Sequence, residues 1–122
     1  MRLFFAIIIA LSSAFTFSSG AEFSFLDKNH DFEDVKEGVV LTHEYEFKNS
    51  GTAPLIIADY EVNCSCTKIN FPKQPVLPGE SAKIQLSFDT EGKHGFQSRQ
   101  INLLSNANRK TKLTFRVYVI RE

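Results

Sequence analysis

Three stretches of the chain alternate between apolar and polar residues with a period of two. Val39, Leu41, His43, Tyr45 and Phe47 alternate with Val40, Thr42, Glu44, Glu46 and Lys48. Ala82, Ile84, Leu86 and Phe88 alternate with Lys83, Gln85, Ser87 and Asp89, and Leu113, Phe115, Val117 and Val119 with Thr114, Arg116, Tyr118 and Ile120. This period turns one side of an extended chain toward a core and the other toward water, so each stretch predicts a half-buried β-strand. The first carries a histidine on its apolar side. Shorter extended candidates are residues 23–26, 55–62, 66–71 and 96–104. None sustains a period near 3.6, so no helix is predicted after the first two dozen residues. Between the strands lies turn chemistry. Asn49-Ser50-Gly51 offers residues that tolerate positive φ, Pro78-Gly79 suits a type II turn, and residues 91–95 and 106–109 are polar loops. About seven short strands in a hundred residues predict an all-β fold, a single immunoglobulin-like β-sandwich. No repeat, low-complexity tract or linker marks a second domain.

The start of the chain has a different grammar. Arg2 is followed by the wholly apolar run Leu3 to Leu11 and then by a small, polar stretch ending at Ala21. This order is that of a secretory signal peptide, with Ser19 and Ala21 as the small residues ahead of the cut. Residues 1–21 are therefore expected to be a cleaved leader and 22–122 the sandwich domain. The apolar run falls well short of the ~20 residues that a spanning helix needs, so the processed protein is expected not to cross a membrane. No cysteine lies near the cut, which speaks against a lipid anchor. The expected location is exported, either periplasmic or extracellular.

Composition narrows the classes further. Lys plus Arg and Asp plus Glu each number 14, giving zero formal charge. Cleavage removes only Arg2 among the charged residues, along with the only methionine, and there is no tryptophan. Nucleic-acid binding needs a basic surface that displaces counterions, and a polybasic membrane patch needs the same excess; neither is present in the total. Apolar residues make up 43%, enough for a packed core and against intrinsic disorder. Cysteines sufficient for a disulfide-dense mini-protein, or for the inter-sheet staple of antibody domains, are missing.

The chemistry that stands out is Cys64-Ser65-Cys66. In an extended segment residues two apart share a face, with Cα atoms about 6.6 Å apart at ~3.3 Å per residue. That is the upper limit for a disulfide, so a bridge requires a bulge or turn. Two thiols on one face also suit a soft metal such as Cu(I) or Zn(II), which would need a third ligand from His43, His94 or a second chain. The remaining alternative is a pair of small thiols at a strand end. His30, His43 and His94 are scattered, and His43 reads as a core or rim histidine. Asp31, Glu33, Asp34 and Glu37 read as a solvated loop, since their spacing is not that of a calcium loop. Nucleophile-elbow, Walker and dinucleotide motifs are absent. No acid, base and nucleophile assemble from neighbouring residues, so an enzyme is not expected, and no cofactor is implied.

The order of landmarks resembles the domain of unknown function 1573 family, exported bacterial domains with an Ig-like, PapD-related sandwich. The shared pattern runs through Asp31-Phe32-Glu33-Asp34-Val35-Lys36-Glu37-Gly38, then Asn49-Ser50-Gly51-Thr52-Ala53-Pro54-Leu55-Ile56-Ile57. It continues with Cys64-Ser65-Cys66-Thr67, Pro78-Gly79-Glu80 and Ser105-Asn106. The chain departs from it at Glu33 and Ser65, where the resemblance implies glycine. The resemblance implies fold and export, and brings no activity. The function expected is a small binding or scaffolding module of the bacterial envelope, its partner another protein held by strand addition at a sheet edge. The alternative is a thiol-redox or soft-metal protein centred on Cys64 and Cys66.

Overall fold

The alternating stretches form the long strands of two stacked sheets. The computed structural model describes residues 20–121, which fold into nine strands with no helix among them. In chain order they are β1 (Phe23–Phe25), β2 (Asn29–Asp31), β3 (Val35–Lys36), β4 (Val40–Asn49) and β5 (Ile57–Glu61). They continue as β6 (Thr67–Asn70), β7 (Ser81–Asp89), β8 (Gly95–Ser105) and β9 (Thr111–Ile120). One sheet has the order β1-β4-β7-β6 and the other β2-β9-β8-β5, with β3 also pairing β9. The expected leader lies outside the described residues except for its end. There Ala21 is buried and bridged to Ala107, while the Gly20 carbonyl accepts the Thr52 N–H.

Period two does what it should on the long strands. Tyr45, Phe47, Ile84, Leu86 and Phe88 face inward from one sheet and meet Ile101, Leu113, Phe115, Val117 and Val119 from the other. Phe88 and Phe115 touch edge-on across the layers at 4.9 Å. The Tyr45 hydroxyl donates to the Thr114 carbonyl at 2.8 Å, so the buried phenol is satisfied and joins the sheets.

Two expectations are corrected. The acidic segment is not merely a loop, because β2 and β3 run parallel to β9 within it, with His30 opposite Phe115 and Val35 opposite Val119. Strands of two and three residues are too short to show a period, and their partner lies some 85 residues away. The second correction concerns Asn49-Ser50-Gly51, where no residue has positive φ. Gly51 is needed for a different reason: a Cβ there would collide with the Gly20 carbonyl oxygen and stand 2.7 Å from the Glu22 nitrogen. Gly79, by contrast, has φ +85° in a turn closed by Glu80 N–H to the Leu77 carbonyl, as the Pro-Gly pair predicts.

Candidate functional site

Cys64 and Cys66 sit at the corner where the chain leaves β5 and enters β6. The chain turns there: Thr67 N–H donates to the Cys64 carbonyl at 3.1 Å. The turn draws the two Cα atoms to 5.1 Å, and the cysteines are joined in a disulfide. This is the turn that an extended segment lacks. It forms without a left-handed residue, so Ser65 serves where the resemblance implies glycine, and Glu33 likewise needs no positive φ. The two sulfurs are not equivalent. Cys64 Sγ accepts the Cys66 backbone N–H at 3.2 Å, whereas Cys66 Sγ has the Thr67 hydroxyl oxygen at 3.9 Å. Both cysteines are half-buried and open onto a hollow of about 360 Å³, which Val40, Lys68, Asp89, Glu91 and Lys93 also line.

The β6 strand that follows is a sheet edge. Asp89 N–H donates to the Cys66 carbonyl, which fixes the phase of the β6–β7 ladder. In an antiparallel pair the hydrogen-bonded positions alternate, so Lys68 and Asn70 turn their backbone groups to β7. The N–H and C=O of Ile69 and the C=O of Thr67 therefore point away from the sheet. The other edges are blunted: β5 carries a bulge between Ile57 and Asp59, β2 and β3 are separated by a loop, and β1 has three residues. The outer face beside β6 is hollowed to about 840 Å³. It carries two polar rows in register, Thr42-Ser87-Lys68 and Glu44-Gln85-Asn70.

The histidines are not drawn to the cysteines. His43 stacks on His30 at 3.6 Å between ring centroids, with Phe32 and Tyr45 edge-on to it. Burial, and then the neighbouring His30, hold the His43 pKa below its ordinary value, against Asp27 and Glu44, which raise it. His94 is exposed, and its carbonyl accepts a Gln97 side-chain N–H. Among the described residues no group of three His, Cys, Asp or Glu side chains is arranged to hold a metal ion. In the acidic segment, Asp31 grips Arg116 through both carboxylate oxygens at 2.7 and 3.1 Å, and Glu37 meets Arg121. Sequence reading missed the open β6 edge and the polar rows. The only signal for the edge is the Cys-x-Cys-Thr run, which requires a turn immediately ahead of a short strand when its cysteines are bridged.

Two sheets, antiparallel except where β2 and β3 join β9, sealed by aromatic contacts and with no inter-sheet disulfide, define an Ig-like, PapD-like β-sandwich. The chain belongs to the family described as Protein of unknown function (DUF1573), whose model matches residues 23–119. No curated protein matches the sequence. Among solved structures it is similar to a protein of unknown function from Porphyromonas gingivalis W83, with TM-score 0.70 and 15% identity over 86% of this chain and 50% of that one. The ASH / PapD-like domain of human CEP192 gives TM-score 0.67 and 10% identity over 100% of this chain and 99% of that domain. The secreted serine protease VesC from Vibrio cholerae gives 0.58 and 16% over 80% and 23%. The chain thus spans half the length of the first and about a quarter of the protease. At these identities the likeness is one of fold.

Proposed function

We propose that this protein is an exported binding module of the bacterial envelope that holds an extended segment of another protein on the edge of β6. The observation that carries this reading is the unpaired backbone of Ile69, flanked by Thr67 and backed by a buried side chain. An added strand would hydrogen-bond to those groups, and its side chains on the outer side would continue the polar rows beside Lys68 and Asn70. Export is supported by the order of charges and apolar residues in 1–21 and by cysteines joined as a disulfide, which persists in oxidising compartments. Cleavage after Ala21 would take Gly20 and Ala21 out of the fold, breaking the bridge to Ala107.

Two measurements test the reading. The intact mass of protein recovered from the cell envelope or medium should correspond to residues 22–122; a full-length mass confined to the cytosol defeats the export part, and a longer processed mass moves the cut upstream of Gly20. A photo-crosslinking residue at Asn70 should give a discrete protein adduct in living cells, and one at Lys112, exposed on the other sheet, should not. Equal adducts at both positions, or none at Asn70, defeat the docking part.

A further inference from the structure

We infer that the Cys64–Cys66 bridge is a disulfide donor that oxidises a dithiol, with Cys66 as the attacked sulfur and Cys64 as the leaving thiolate. The activity concerns a different site from the β6 edge and does not rest on strand addition. Three observations lead to it. The bridge closes a loop of only three residues at one corner and ties no distant elements together, so it removes little freedom from the unfolded chain. Its cysteines are half-buried beside an open hollow rather than sealed in the core. Finally, the two sulfurs are unequal: only Cys64 Sγ receives a backbone N–H.

That inequality sets the direction of exchange. A disulfide breaks faster when the departing sulfur is the better thiolate, and a donor N–H aimed at sulfur favours the thiolate. Lys68 and Lys93 line the hollow together with Asp89 and Glu91, two cations against two anions. The Thr67 hydroxyl stands 3.9 Å from Cys66 Sγ against 3.2 Å for the amide on Cys64 Sγ, so the preference rests on the closer amide and not on net charge. In the first step a thiolate of the partner attacks Cys66 Sγ. A bond forms between partner sulfur and Cys66 Sγ, the Cys66–Cys64 bond breaks, and its electron pair leaves on Cys64 Sγ, held by the Cys66 N–H. In the second step the other partner thiolate attacks the partner sulfur of the mixed disulfide. The partner closes its own disulfide, and Cys66 departs as a thiolate. Both cysteine thiolates then take up the two protons that the partner thiols gave to solvent. The partner has lost two electrons and the bridge has gained them; one protein molecule oxidises one dithiol.

The test uses the purified oxidised protein and a synthetic peptide bearing two reduced cysteines. One equivalent of peptide should be oxidised while the protein gains two thiols and 2 Da by intact mass, about tenfold faster than with the same concentration of oxidised glutathione. Acid quenching early in the reaction should trap a mixed disulfide, and fragmentation should place the peptide on Cys66. The double variant Cys64→Ser, Cys66→Ser should keep the circular dichroism of the parent and oxidise nothing. Exchange no faster than with glutathione overturns the donor role, and a peptide found on Cys64 overturns the assigned direction. Because Asn70 crosslinking is read separately, either proposal can fail while the other stands.

Discussion

Asn49 and Gly51 show how two residues of a turn hold one end of the molecule together. Asn49 is fully buried, yet every polar atom is used. Its side-chain oxygen accepts the N–H groups of Glu22 and Gly51, and its amide nitrogen donates to the carbonyls of Ala53 and Val76. Its backbone N–H donates to Glu80, and its carbonyl accepts from Gly79. The chain ahead of β1, the turn after β4 and the Pro-Gly turn therefore meet on a single residue. Leaving buried donors and acceptors without partners is costly, so Asn49→Ala is expected to lower stability by on the order of 3 kcal/mol. Urea unfolding should show this as a lower midpoint with unchanged slope. Gly51→Ala should destabilise the unprocessed chain as well, because the Cβ meets the backbone of Gly20 and Glu22, and should cost less once cleavage has removed Gly20. Asn49→Asp is the informative control, since it keeps the two accepted hydrogen bonds and loses the two donated ones.

At the scale of elements, the contacts between strands set both pH response and redox tolerance. The stacked rings of His30 on β2 and His43 on β4 link the two sheets along one side. His43 is held neutral in the fold by burial and by His30, with Asp27 and Glu44 opposing, so its folded pKa lies below the unfolded 6.5. Below pH 6.5 the unfolded chain then binds the extra proton before the native one does. Stability should accordingly be fully present above pH 6.5 and be lost as pH falls through that value toward the lower folded pKa. Thermal unfolding of the parent should shift down between pH 7 and pH 5 by more than that of His43→Phe, which keeps a ring in the stack and has no proton to bind. Equal shifts would remove His43 from the account. The Cys64–Cys66 bridge should matter far less to the fold. Loop closure over three residues amounts to about 1.6 kcal/mol at 25 °C, so reduction, or Cys64→Ser with Cys66→Ser, should cost no more than that in chemical denaturation.

For the molecule as a whole, what could be read from the sequence was what depends on neighbours two residues apart. The long strands β4, β7 and β9 follow from Tyr45, Ile84 and Phe115 alternating with Glu44, Gln85 and Arg116, and two sheets follow from how many such strands there are. What depends on distant partners could not be read. β2 and β3 exist because β9 offers them a parallel edge, the Gly51 requirement comes from the close approach of Glu22, and whether Cys64 meets Cys66 hangs on one turn hydrogen bond from Thr67. The same distinction bears on stability, because no disulfide staples one sheet to the other and the core must hold them together. Phe88 on β7 and Phe115 on β9 are both fully buried and meet edge to face. Phe115→Ala is expected to cost about 3–5 kcal/mol, a large share of the about 5–15 kcal/mol available to a domain of this size. If the layers form one cooperative unit, the loss will be felt in both. Native-state hydrogen exchange of the variant should then lower the protection of the β4–β7 amides as much as that of the β8–β9 amides, although Phe115 belongs only to the second sheet. Protection lost in the second sheet alone would mean that the layers are stable separately, and that the aromatic contact between them is an accessory to the fold and not its joint.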